Sequence, residues 1–154
     1  MHRRTFLIAL PGALLTLRAE AHHGWTSFDE SKPLYFEGEV VAVRWQNPHA
    51  EIDLRIEEGL ERPADLSTRS VPAQQAAVDG ARILADAQPP PRSGVWTCEL
   101  APLTRLAAWQ VPQPEVGDRV AVVGFTRPGA PESRMRAEFV FVGGRAYPLR
   151  SAPA

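Results

Sequence analysis

Hydrophobic and polar positions along the chain fall into three regimes. From Leu34 to Trp45 the residues are largely β-branched or aromatic (Leu34, Tyr35, Phe36, Val40, Val41, Val43, Trp45), which is strand composition. Asn47-Pro48 then supplies a turn signal. Ala50 to Ile56 alternates strictly, with Ala50, Ile52, Leu54 and Ile56 on one side and Glu51, Asp53 and Arg55 on the other. One wet face implies an antiparallel partner, so the two runs predict a hairpin turning at Gln46-Asn47-Pro48-His49. The pattern lapses between Glu57 and Ser93, where Pro63, Pro72 and Pro89-Pro90-Pro91 sit among Ala, Gln, Ser and Asp. The stretch 58–93 therefore predicts an insertion of low order, with a weak helix over Ala73–Ala87.

Strand character resumes at Val95–Leu100, with Trp96, Cys98 and Leu100 on one face. Pro102 suits the first turn of a helix running to Trp109, and Pro112 and Pro114 prevent its continuation. Val120–Phe125 and Met135–Val142 predict two more strands, the second with Met135, Ala137, Phe139 and Phe141 sharing a face. Gly143-Gly144 predicts a tight turn into a short edge strand. Three strands, a helix and two strands is the element order of the OB-fold, a five-stranded Greek-key barrel with a helix between its third and fourth strands. The expected class is thus all-β with a small α contribution; a small SH3-like or sandwich arrangement is the alternative. The barrel domain spans 34–149, preceded by a leader over 22–33 and followed by a tail over 150–154.

The first residues follow a different logic. Arg3-Arg4 precede an apolar run that ends near Leu17 and is too short to cross a bilayer, and Ala19-Glu20-Ala21 fits the small-x-small rule for a cleavable export signal. A membrane anchor is the competing reading. Arg3-Arg4-Thr5-Phe6-Leu7 also resembles a twin-arginine signal. Cleavage after Ala21 removes Arg3, Arg4, Arg18 and Glu20, so a chain with 17 basic and 18 acidic residues becomes more acidic. Periplasmic or secreted location and acidic charge argue against nucleic acid as a partner. No stable membrane span is expected after processing.

Processing also changes what the histidines mean. The sequence has 4; once His2 is lost, those remaining are His22, His23 and His49. His22 becomes an N-terminal residue with an α-amine, an amide and an imidazole. Amine, imidazole and a second imidazole make a near-planar nitrogen set of the kind Cu(II) prefers. His22 and His49 satisfy that description as a histidine brace, and His23 is the competing ligand. A polar leader and an exposed turn histidine are the plainer readings of the same residues. Glu51 and Asp53 share the outward face with His49, either as partners that orient an imidazole or as the solvated side of a strand. Cys98 and Met135 read as core. Trp25, Trp45 and Trp109 read as packing residues or as a binding surface on the barrel. No catalytic constellation is evident: there is no Gly-x-Ser-x-Gly elbow and no phosphate-cradling loop.

His22-His23-Gly24-Trp25, Glu37-Gly38-Glu39-Val40, Trp45-Gln46-Asn47-Pro48-His49, Trp96-Thr97-Cys98-Glu99-Leu100 and Val116-Gly117-Asp118-Arg119-Val120 together resemble a family of small exported bacterial proteins of unknown function. That family has a His-His-Ser/Gly-Trp leader and an Asn-Pro-His turn. The resemblance covers about 22–57 and 94–149 and implies export and a small β domain; residues 58–93 depart from it. Two functions stand against each other: a copper-binding module, and a metal-free module that holds a ligand or an envelope protein partner. Copper-dependent oxidation would in addition need an open coordination position and a substrate surface, and the sequence indicates neither.

Overall fold

The computed structural model describes residues 24–129 and 132–154; the expected export signal lies outside them. The strands are β1 (Leu34–Arg44), β2 (Glu51–Ile56), β3 (Gly94–Glu99), β4 (Arg119–Phe125), β5 (Arg134–Val142) and β6 (Arg145–Pro148). Helix α1 (Gly80–Asp86) lies between β2 and β3, and α2 (Leu103–Ala108) between β3 and β4. β1 is shared: its first half pairs with β4 and its second half with β2. β2 pairs with β3, and β4 with β5, all antiparallel. A parallel pairing of β3 with β5 closes the ring. This circuit, with α2 between β3 and β4, is the OB-type barrel; β6 adds an extra strand outside it, against β5.

The barrel interior takes the residues whose alternation is visible in the chain: Phe36, Val40, Ile52, Leu54, Trp96, Cys98, Val120 and Val122, all nearly or wholly buried. Gly38 is part of this wall for a steric reason. A side chain there would run into the backbone carbonyl of Arg55 across the β1–β2 pair.

β5 departs from the expected alternation. Val123 pairs with Phe139 and Gly124 with Ala137, so Glu138 is an extra residue in the ladder, a β-bulge. Met135, Ala137 and Val140 therefore face the barrel interior, while Phe139 and Phe141 turn to a second core outside it. The single apolar face predicted for Met135–Phe141 is corrected by that one residue.

The second core also changes the picture of residues 58–93. Leu66, Ile83, Leu84 and Ala87 are buried there with Phe28, Tyr35, Val123, Phe125 and Phe139, so a stretch expected to have little order is packed against the barrel wall. Its helix is shorter than Ala73–Ala87. Asp79 caps α1 by accepting the Arg82 amide at 3.0 Å, which puts Gly80 in the first turn. Ahead of it the chain is extended and tied to the tail: the Gln75 amide donates to the Ala152 carbonyl at 3.0 Å, and Gln74 bridges Pro153.

Candidate functional site

The outer face of β2, β3 and β5 is built from alternate residues of each strand. Register places Glu51 opposite Glu99 and Asp53 opposite Thr97. The parallel seam sets Glu99 against Arg136 and Thr97 against Arg134. Two carboxylates directly opposite repel, and the arginines resolve the conflict. Arg134 pairs with Glu51 and lies 3.4 Å from Glu99. Arg136 donates to Glu99 Oε1 from Nε at 3.0 Å and also from Nη2. At the other end Arg44 donates to Glu51 at 2.8 Å and grips Asp53 with two bonds of 2.9 and 2.7 Å. Asp53 also accepts the Thr97 hydroxyl at 2.8 Å.

These contacts set the protonation states. Burial pushes the Glu99 carboxyl up, but the hydrogen bonds and charge of Arg136, with His49 and Arg134 behind them, outweigh it and hold Glu99 below its usual range. The Arg44 hydrogen bonds hold Asp53 low against a smaller burial effect. Both carboxylates are ionised at neutral pH.

His49 enters this network from the β1–β2 turn. The turn is fixed to α2 by Asn47, whose Oδ1 accepts the Leu103 amide at 3.1 Å. Helix α2 begins after Pro102, which supplies no side-chain cap, so Asn47 satisfies from a distance a donor that would otherwise lack a partner. Mutual bonds between Ala50 and the end of β3 (Ala50 amide to Ala101 carbonyl, Leu100 amide to Ala50 carbonyl) hold the following residue. His49 Nδ1 then lies 3.4 Å from Glu99 Oε1.

The leader meets the same network from the other side. Trp25–Ser27 forms a 3-10 turn, and the Asp29 amide donates to the Thr126 carbonyl at 2.9 Å. Trp25 packs edge-on to Phe125, with ring centroids 6.4 Å apart. Two guanidinium groups stand near its ring: Arg150 at 4.2 Å and Arg136 at 5.3 Å from the centroid. Arg136 also lies 4.9 Å from the Phe28 ring. Arg150 is in turn held by Glu30 and by Glu138, which is completely buried in the bulge of β5. Arg136 thus touches the carboxylate that faces His49 and both leader aromatics.

The site residues expected from sequence divide accordingly. His22 and His23 lie outside the described residues. Glu51 and Asp53 are engaged by arginines, and the carboxylate at His49 is Glu99. Its signal is the register of β2 against β3, which puts position 99 on the same face as Glu51. Among the described residues no group of three or more His, Cys, Asp or Glu has the geometry to hold a metal ion. Trp45 is half-buried against the barrel core, and Trp109 is buried with its indole N–H donated to the Ser151 carbonyl at 2.8 Å. Trp109 belongs to the barrel core. Cys98 is fully buried, which pushes its thiol up and leaves it inert. Among the described residues no helix is long and apolar enough to cross a membrane.

The profile of a family of unknown function, DUF6152, matches residues 13–64. The matched segment contains the leader, β1, the Asn-Pro-His turn and β2. It therefore covers His22, His23, His49 and Trp25, and stops before Glu99 and Arg136. Neither a curated protein nor a solved structure matches the chain.

Proposed function

We propose that this protein is an exported β-barrel module that binds copper through the α-amine and imidazole of His22 together with His49, with His23 as the competing ligand. Its role is carriage, delivery or sensing of the ion, not turnover. The observation that carries this reading is the contact chain His49–Glu99–Arg136–Trp25. A carboxylate behind one imidazole nitrogen is the usual way a protein orients a ligating histidine and commits its other nitrogen to metal. Glu99 faces Nδ1 of His49, an arrangement that supports Nε2 as the ligand atom in this reading. At the far end of the chain, Trp25 is held against Arg136. His22 precedes Trp25 by three residues, a separation that extended chain spans in about 10 Å. The proposed site requires that the leader run from Trp25 toward the turn over those three residues.

The metal-free alternative loses ground on two counts. In OB-type barrels ligands commonly lie across strands 2 and 3, and here the outer side of those strands is occupied by paired charges. Trp109, one of its expected contact residues, is buried.

The test uses exported, tag-free protein. Mass spectrometry establishes whether the N-terminus is His22. Cu(II) titration followed by electron paramagnetic resonance then reads the ligands. The expected spectrum shows nitrogen coupling that His22→Ala abolishes and His49→Ala diminishes. An N-terminus other than His22, or a spectrum indifferent to both substitutions, defeats the proposal.

A further inference from the structure

We infer that Arg136 is a positioning residue that, with one side chain, orients His49 through Glu99 and docks the described part of the leader through Trp25 and Phe28. The inference rests on the copper reading for its purpose; its geometry is independent of any metal.

Arg136 projects from β5 at the parallel seam and is 8% exposed. Its Nε and Nη2 both donate to Oε1 of Glu99, the same oxygen that faces His49 Nδ1. Its guanidinium also lies 4.9 Å from the Phe28 ring and 5.3 Å from the Trp25 ring. A buried ion pair is seldom worth more to stability than well-packed apolar side chains, whereas it fixes direction. Here the direction matters twice. If Glu99 rotates away, the imidazole loses the partner that orients it. If the guanidinium moves, the two leader rings lose a shared cation.

Nearby groups bound the size of the effect. Arg134 contacts the other Glu99 oxygen, and Arg150 remains on Trp25. Loss of Arg136 therefore loosens both ends without detaching either. Lysine is an informative replacement: it keeps a charge for Glu99 but has no planar fork to donate twice and face two rings.

The leader is read by the distance between two spin labels in chelator-treated protein. Gly24→Cys is suitable because it is exposed and a side chain there meets nothing within 4 Å. Val95→Cys gives a reference on β3, where the native residue is 50% exposed. Cys98 is fully buried and escapes labelling. The parent should give a narrow distribution. Arg136→Lys and Arg136→Met should each broaden it about twofold, and Trp25→Ala should do the same without touching the seam, which keeps the test decisive if the methionine variant fails to fold. A broad distribution in the parent, or an unchanged one in the Arg136 variants that fold, overturns the inference.

A second measurement separates this from the copper reading. In unlabelled processed protein, Arg136→Lys should weaken the His49 nitrogen signal in the Cu(II) spectrum while the amine and His22 signals persist. A Cu(II) spectrum unchanged by Arg136→Lys overturns the link to His49. Absence of nitrogen coupling in the parent overturns the copper reading, and the label distances then decide the docking role of Arg136.

Discussion

Nδ1 of His49 lies 3.4 Å from Oε1 of Glu99, and the carboxylate is almost wholly buried. Glu99 therefore has two duties, one toward the imidazole and one toward the guanidinium of Arg136. Replacing it by glutamine keeps the shape and removes the charge. Outer-sphere changes of this kind weaken metal binding by roughly 10- to 100-fold, and Cu(II) titration of Glu99→Gln should fall in that range. Glu99→Ala goes further, removing the carboxylate that Arg136 grips, and should destabilise the fold more than Glu99→Gln does in urea unfolding.

Acid stability should report the same carboxylates. Glu99 and Asp53 are held below their usual values of 4.5 and 3.8. Their contribution is fully present above those values and is lost as pH falls through them toward the depressed folded values. Glu138 has the opposite sign. Burial, opposed by Arg150 and Gln74, raises it above 4.5, so its contribution declines as pH rises from 4.5 through the raised folded value. Urea midpoints measured between about pH 3 and 7 should show a shallower acid limb in Glu99→Gln. In Glu138→Gln the acid limb should be steeper, because the opposing contribution is gone.

Asn47 supplies the missing cap of α2. Asn47→Ala should cost about 1 kcal/mol, the usual value for losing a cap acceptor. Amide hydrogen exchange at Leu103 should accelerate in that variant.

Leu84 belongs to the excursion between β2 and β3 and is completely buried. If that excursion is an integral part of the fold, Leu84→Ala should cost roughly 2–5 kcal/mol, as core leucines do. A change near zero in urea unfolding would mean that the second core contributes little.

The sequence shows most of the barrel because its strands obey simple rules. The alternation of Ala50–Ile56 and the Pro102 start of α2 are local properties, and both match the structure. The two faces of β5 are not legible because a bulge is one residue long: nothing in Met135–Phe141 marks Glu138 as the position where the faces exchange. The excursion was misread because Leu66, Ile83 and Leu84 are too sparse to show a period, and their burial depends on Phe139 and Phe125 from distant strands. At the site, His49 was legible as the turn residue of a hairpin. Its partner Glu99 required the register of β2 against β3, and Arg136 required the seam between β3 and β5, which joins strands far apart in the chain.

That seam also governs when the site exists. Among the described residues three pairs, Thr97–Arg134, Cys98–Met135 and Glu99–Arg136, join β3 to β5, and α2 and β4 lie between the two strands in the chain. A pairing across 37 residues adds stability only once the chain between has closed. Until they form, Glu99 and Arg136 are on separate pieces of chain, and the carboxylate facing His49 lacks its two-bond anchor. The geometry at His49 is therefore a product of the closed barrel and is not encoded in the β1–β2 turn alone.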